Sequence, residues 1–400
     1  MRIAVILETP LHLGGGFQQE LSLAVMLSKE SGRDEFVFYS TRKENIAVLA
    51  SSGVRASFLP VSSLLHKIHN KVLLSTVGYP VLAVLGLGQG ALEKILTRQN
   101  IDLVFFLSPS WKALALRRLN YIIHVWDQCH RDWPEFPEVR FDGEFENREF
   151  FFRKGLLKAV AVLVDAPYSK AALVRRYGCD EDRVFVFPFL PAVHAPVKNK
   201  TDIRAKYRIA NKFVFYPAQF WPHKNHVYLL DGLKILRDKY GVVLDAVFSG
   251  SDKGALSQVL SYARQIGLDQ AVHYVGFIPG EEVDAFYKEA VALVMPTYFG
   301  PTNMPPLEAL VRGCPVCYSD LPGPREQLGE GGFFMDLSDP HSMAEQIMMI
   351  LNQPRLVRER LNKGRLIVES MGQGKHMAIL QDIFQGFRIR MKCWKPGSDC

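Results

Sequence analysis

Short runs of β-branched and aromatic residues alternate along the chain with longer stretches whose apolar positions recur every three or four residues. An uninterrupted apolar run suits a strand buried on both faces, and the wider spacing suits a helix that covers a sheet. In the first half these runs predict strands at residues 3–7, 36–39, 102–106, 121–125, 161–164 and 184–187. In the second half they predict strands at 213–216, 244–248, 272–275, 292–295 and 315–318. Regular alternation of strand and helix predicts stacked βαβ units, so the expected class is α/β with two doubly wound parallel sheets. Residues 187–200 hold three prolines and a polar end, which marks them as the linker, with the boundary near Leu190. The expected division is a first domain at 1–190, a second at 191–370, and a helical end at 371–400 that returns to the first. Two such domains are expected to face one another across a cleft, with ligands held in the loops after the strands.

Composition narrows this picture. The chain has 400 residues, of which 48% are hydrophobic and 22% charged, in keeping with a folded soluble protein. The net charge of +7 suits an anionic ligand or a membrane surface, and no basic run suits a nucleic-acid groove. The six cysteines show no disulfide spacing, which points to a reducing compartment. Cys314 and Cys317 form a C-x-x-C, read here as two small apolar residues at the start of a buried strand rather than a zinc or redox pair, since no second pair exists. The apolar run at 3–7 is too short for a signal peptide, and residues 72–87 are broken by Gly78, Pro80 and Gly86 and short for a membrane span. A cytoplasmic location is expected. Residues 67–71 and the tail at 387–395 mix basic and apolar side chains, which fits either peripheral contact with anionic lipid or packing on the first domain; packing is favoured.

Three loops carry candidate chemistry. Gly14, Gly15 and Gly16 follow the first strand and open a helix expected over 19–29, where backbone can approach a phosphate; the same pattern fits a tight loop with no ligand. Lys224 and Asn225 sit in Gln219-Phe-Trp-Pro-His-Lys-Asn-His226, between a strand and a helix expected at 227–240, and a lysine there can pair with a diphosphate. His223 and His226 invite a metal reading, which is rejected because a lysine lies between them and no acid or thiol is near. The third loop runs from Met295 through Gly300, Pro301, Thr302, Asn303 and Met304 into a helix with Pro306 at its start. That register puts Glu308 in the first helical turn, where it suits either sugar hydroxyls or a simple helix-start carboxylate.

Together these motifs resemble the family 4 glycosyltransferases of the GT-B fold, most clearly over 213–340, and within them the branch linked to mannosyl transfer in bacterial polysaccharide assembly. The resemblance implies that Lys224, flanked by Gln219 and Asn225, binds the donor diphosphate and that Glu308 holds the ribose. It implies that Ser249 and Gly250 line the donor site, that Gly276, Phe277 and Ile278 contact the base, and that backbone amides of Thr302, Asn303 and Met304 face the sugar and phosphate. Gly15 and Gly16 would approach the diphosphate from the first domain, and Asp127 or His130 would orient the acceptor; support of the fold at a strand end is the other reading of these two. Three positions depart from the family: Gly300 stands where a second glutamate is usual, Gln219 where an arginine is frequent, and Trp126 where a histidine precedes the aspartate.

The implied reaction moves a hexose, mannose by the branch resemblance, from a nucleotide-diphosphate sugar to a glycan or lipid-linked acceptor with retention of configuration. GDP-mannose is the favoured donor and a UDP-sugar the alternative. No Asp-x-Asp or acid cluster accompanies the motifs, so no metal or other cofactor is expected; Lys224 and aimed backbone amides would neutralise the leaving diphosphate. Lys224, Asp127 and His130 are the candidate catalytic residues. The rival readings are a nucleotide-sugar epimerase, and a degenerate GT-B subunit that binds without catalysis.

Overall fold

A computed structural model describes residues 1–11, 14–61, 88–191 and 201–395, with isolated positions between 62 and 87. Every predicted strand forms, each end within one residue of its expected place. The chain divides into two compact units: Met1–Gln128 with Glu146–Leu190 and the chain from Gln373 on, and Cys129–Phe145 with Pro191–Gly372. Segment Cys129–Phe145, which sequence order assigns to 1–190, therefore packs with the second unit.

In the first unit, among the described residues, β1 (Arg2–Leu7), β2 (Glu35–Ser40), β3 (Ala56–Phe58), β4 (Leu103–Phe106), β5 (Asn120–Val125), β6 (Ala161–Val164) and β7 (Val184–Val186) form one parallel sheet in the order β3-β2-β1-β4-β5-β6-β7. The alternation of a strand splits β1 between two cores. Ile3, Val5 and Leu7 pack on helices Gly15–Ser28 and Gln373–Met391, whereas Ala4 and Ile6 pack with Leu92, Leu96 and Tyr121 on the other face. Helix Gln373–Met391 contributes Met377, Leu380, Phe384, Phe387 and Met391, the spacing of one buried stripe. Arg388 of this helix chelates Asp34 at 2.7 and 2.8 Å, and Lys395 pairs with Asp102. Phe387, Arg388, Met391 and Lys395 of the tail at 387–395 are thus engaged with the first unit, whereas Ile389, Arg390, Lys392, Cys393 and Trp394 are exposed. The other basic and apolar segments, 67–71 and 72–87, lie outside the described residues apart from isolated positions, as do residues 192–200 of the expected linker. Among the described residues no helix is long and apolar enough to cross a membrane.

In the second unit β8 (Phe213–Pro217), β9 (Asp245–Ser249), β10 (Val272–Tyr274), β11 (Ala292–Met295), β12 (Val316–Ser319) and β13 (Phe333–Met335) form a parallel sheet in the order β10-β9-β8-β11-β12-β13. The strand order reverses between β8 and β11, which pair through Ala292↔Val214 and Leu293↔Phe215. Loops after two such strands diverge and leave a crevice at the carboxyl edge of the sheet. Cys314 and Cys317 are buried in this core, and burial pushes both thiols up, that of Cys314 to about 12.

Candidate functional site

The loops after β8 and β11 meet at that reversal. After β8 the chain makes a tight turn over Pro222–Lys224, and Asn225 takes a left-handed conformation (φ 54°) before helix His226–Tyr240 begins. Asparagine tolerates that conformation better than most residues. Tyr216 of β8 donates from its hydroxyl to the Lys224 carbonyl at 2.9 Å, which ties the turn to the sheet, and Lys224 Nζ reaches Asn303 Oδ1 at 3.4 Å. Two sequence-predicted residues from loops about eighty positions apart are therefore side by side.

Asn303 holds the second loop together. Its side-chain amide donates to Tyr318 Oη at 2.6 Å and to the Gly300 carbonyl at 3.3 Å. Its backbone N–H donates to Gln327 Oε1 at 3.1 Å, and Gln327 Nε2 donates back to its carbonyl at 2.6 Å. Of the backbone amides expected at Thr302 to Met304, that of Asn303 is thus engaged by the Gln327 side chain. Gly300 has φ 86°, and a Cβ there would lie 2.7 Å from Asn303 Nδ2. The turn thus requires glycine, which explains physically why no glutamate stands at this position.

The helix that follows starts two residues earlier than expected. It spans Met304–Val311, because Asn303 is extended and Pro305 and Pro306 fall in the first turn, where a missing N–H is tolerated. Glu308 is therefore in the second turn, not the first. It is buried and accepts a hydrogen bond from the Tyr287 hydroxyl at 2.9 Å. Burial pushes the Tyr287 hydroxyl well up, and the neighbouring Glu308 pushes it further.

The remaining second-unit candidates form a scaffold around β9. Ser249 Oγ and Gly250 N both donate to the Gly276 carbonyl, at 2.8 and 3.0 Å, which fixes the turn carrying Phe277 and Ile278. Gly250 has φ 145°, and a Cβ there would lie 2.4 Å from the Ala218 carbonyl oxygen. Ile278 is buried, whereas Phe277 is 79% exposed and offers a bare ring face. Gln219 spends both ends locally, donating to Ser251 Oγ at 3.0 Å and accepting from Trp221 Nε1 at 3.1 Å.

His223 and His226 serve different surroundings. His226 is buried and stacks on Phe220 with ring centroids 4.3 Å apart; burial, then the nearby Lys224, lowers its imidazole to about 3. It is a neutral core ring. His223 lies against Glu138 of helix Pro137–Arg140, in the segment from the first half of the chain. Both its ring Nδ1 and its backbone N–H, the latter at 3.0 Å, meet Glu138 Oε1. Nothing in the sequence spacing signals this pair, since 85 positions separate the two residues.

In the first unit the glycine loop also starts its helix early. Gly14 at φ 58° turns the chain, and helix Gly15–Ser28 begins at once, so Gly15 and Gly16 lie inside its first turn rather than in a loop ahead of Gln19. A Cβ on Gly16 would come within 3.0 Å of the Trp126 ring, so this glycine allows close packing. Glu20 of that helix is fully buried and accepts from the Glu8 and Thr9 backbone amides at 3.0 and 3.1 Å, which pins the loop to β1. Burial raises its carboxyl to about 7 against these hydrogen bonds. Asp127 pairs with Arg148 Nη1 at 2.8 Å and is half-buried. His130 is fully buried on helix Cys129–Asp132, edge-on to Phe145 at 5.5 Å, and belongs to the second unit while Asp127 belongs to the first. The two are thus not one constellation within a unit.

Among the described residues no group of three or more His, Cys, Asp and Glu side chains is arranged to hold a metal ion.

Residues 199–365 match the family described as glycosyl transferases group 1. O-antigen chain mannosyltransferase B of Escherichia coli is 24% identical over 229 residues, 54% of this chain and 58% of that protein. O-antigen chain mannosyltransferase RfbU of Salmonella typhimurium is 25% identical over 205 residues, 51% of this chain and 55% of the relative. The alignments thus span just over half the length of these curated relatives. Sucrose-phosphate synthase from Thermosynechococcus elongatus superposes with a TM-score of 0.71 at 18% identity, over 98% of this chain and 99% of that one. Anabaena HepE in complex with UDP and glucose superposes with a TM-score of 0.69 at 15% identity, over 96% and 100%. The whole chain therefore has the GT-B fold, and its segment 199–365 is similar to the group 1 glycosyl transferases.

Proposed function

We propose that this protein is a hexosyltransferase that uses a nucleotide-diphosphate sugar. The observation that carries the proposal is Lys224, set on a strand-to-helix turn at the reversal of the second sheet and 3.4 Å from Asn303 of the facing loop. In this reading the lysine ammonium and the start of helix His226–Tyr240 meet the diphosphate. The Gly250–Gly276 turn holds Phe277 and Ile278 toward the base, and Glu308 with its Tyr287 partner takes the ribose hydroxyls. As the glycosidic bond breaks, negative charge grows on the departing diphosphate. Fixed donors aimed at that position stabilise the charge without reorganisation, and no divalent ion is needed.

Mannose is proposed as the sugar and GDP-mannose as the donor. The support is the naming of the relatives from Escherichia coli and Salmonella typhimurium as mannosyltransferases. The co-crystallised UDP and glucose of HepE make a UDP-sugar the competing donor. A glycan or lipid-linked acceptor, met by the first unit, and retention of configuration complete the proposal. A thermal-shift screen with GDP, UDP and ADP tests the nucleotide, because a ligand that binds the native state raises the melting temperature. Incubation with GDP-mannose and UDP-glucose, followed by assay of released nucleoside diphosphate, tests the chemistry. Stabilisation by GDP with slow release from GDP-mannose is the expected outcome. An isomerised donor would replace transfer with epimerisation, and no stabilisation by any nucleotide would end the proposal.

A further inference from the structure

His223 connects more of the candidate site than its neighbours do. Its ring lies parallel to Phe299 of the second loop, with centroids 4.1 Å apart and planes inclined by 10°. Its carbonyl accepts from the Tyr298 backbone N–H at 2.9 Å and from Thr297 Oγ1 at 3.4 Å. Its backbone N–H and its ring both meet a single oxygen of Glu138. The next residue is Lys224. The second loop and the segment Cys129–Phe145 therefore converge on His223, the residue before Lys224. The same segment touches the second loop again, where Gly300 N donates to Cys129 Sγ at 3.3 Å.

Packing alone does not call for this pair. Around it Cys129, Val139 and Phe299 form a small apolar cluster with Trp133, Phe136 and Tyr298 against it. Apolar side chains could fill the places of Glu138 and His223 at equal or better stability, because burying an acid and an imidazole carries a desolvation cost. What an apolar pair cannot supply is direction. One carboxylate oxygen that receives both a backbone and a side-chain N–H fixes the residue before Lys224 in position and in torsion. Burial alone would raise the Glu138 carboxyl, and the hydrogen bonds from His223 outweigh it and hold the group below its usual range, so it is an anion in that contact.

We propose that Glu138 and His223 form a positioning clamp that holds the Lys224 ammonium in register with the loop at 297–303. The proposal rests on the reading of that site as a diphosphate site. Neither residue is catalytic; both act through Lys224. The clamp also gives segment Cys129–Phe145 a purpose, since it reaches the second sheet from the end of β5 and delivers the carboxylate.

A double-mutant cycle on the full chain separates the clamp from a merely structural pair. The probes are GDP, UDP and the matching nucleosides, titrated calorimetrically. His223→Phe keeps the stack on Phe299 and removes the ring N–H. It is expected to weaken nucleoside diphosphate binding about ten-fold, the effect of losing one charge-assisted contact. Nucleoside binding is expected to stay within about two-fold, and in the Lys224→Ala background the same substitution is expected to change diphosphate binding by less than about two-fold. Glu138→Leu should match His223→Phe, and Glu138→Gln, which keeps the accepting oxygen, should retain most of the affinity. If circular dichroism shows that His223→Phe loses its fold, the cycle is run with Glu138→Leu. Equal losses with and without Lys224, equal losses for nucleoside and diphosphate, or a Gln variant as weak as the Leu variant would each overturn the clamp alone. A wild-type chain that binds neither GDP nor UDP would overturn the diphosphate reading, and the clamp with it.

Discussion

Lys224 is held at two points, its backbone carbonyl by the Tyr216 hydroxyl and its side-chain ammonium by Asn303. Lys224→Ala removes the charge and leaves the turn, whose backbone bonds do not involve the side chain. Turnover is expected to fall by about 10²–10³, the usual loss of a preorganised donor, with the melting temperature unchanged; a variant with normal turnover would refute the role. Gly250 tests the scaffold behind it. With φ 145° and the Ala218 carbonyl 2.4 Å from any Cβ, Gly250→Ala must displace backbone, so nucleotide binding is expected to weaken together with stability. Glu20 offers a test by pH. Burial pushes its carboxyl up to about 7, above the ordinary carboxylate range, so between those two values the folded chain holds a proton there that the unfolded chain has already released. The associated stability is fully present below the unfolded value and is lost as pH rises through 7, about 3 kcal/mol in all for a shift of this size. Glu20→Gln is expected to flatten that decline, and chemical denaturation at pH 5 and pH 8 reads it directly. An unchanged pH dependence would show that another group governs it. None of these residues announces its partner in sequence, because Tyr216, Ala218 and the amides of Glu8 and Thr9 come into place only when the fold forms.

Elements were more legible than their ends. Strands β4 and β11, and β1 after Arg2, are apolar throughout because both faces are covered, so a plain run of apolar residues reveals them. Edge strands β3 and β13, three residues each, are not among the predicted runs, although β7 and β10 are equally short and are, so length alone does not decide legibility. The helices at Gly15 and Met304 start earlier than the sequence predicts for one reason. A loop of glycine and proline reads as a loop, yet glycine at φ 58° can turn straight into a helix and proline is at home in its first turn. The shift at Met304 matters most, since it moves Glu308 from the helix start to the second turn beside Tyr287. The helix Gln373–Met391 shows the opposite case, where an element can be read and its importance measured. Phe384 is buried there and meets Phe36 at 5.9 Å. Phe384→Ala is expected to destabilise the first unit by about 3–5 kcal/mol. A denaturation midpoint equal to that of the wild type would mean that the helix contributes little.

At the scale of the molecule, the order of residues and the order of packing part company. The chain passes between the two units after Gln128, after Phe145, after Leu190 and after Gly372. A boundary sought in proline-rich sequence finds the third of these and not the first two, because Cys129–Phe145 is no linker by composition: it carries Trp133, Phe136 and Val139, which bury themselves against Tyr298 and Phe299. Aromatic contact, and the Glu138 carboxylate on His223, outweigh sequence proximity in deciding with which unit the segment associates. The consequence can be measured without any ligand. In native-state hydrogen exchange under rising denaturant, amides that open together belong to one cooperative unit. Amides of Cys129–Phe145 are expected to open with those of β8 and β11, and amides of Gln373–Met391 with those of β1 and β5, although each pair lies far apart in sequence. If 129–145 instead opened with its neighbour β5, its contacts to the second unit would be too weak to hold Lys224 in place, and the second unit would have to set that turn from its own residues alone.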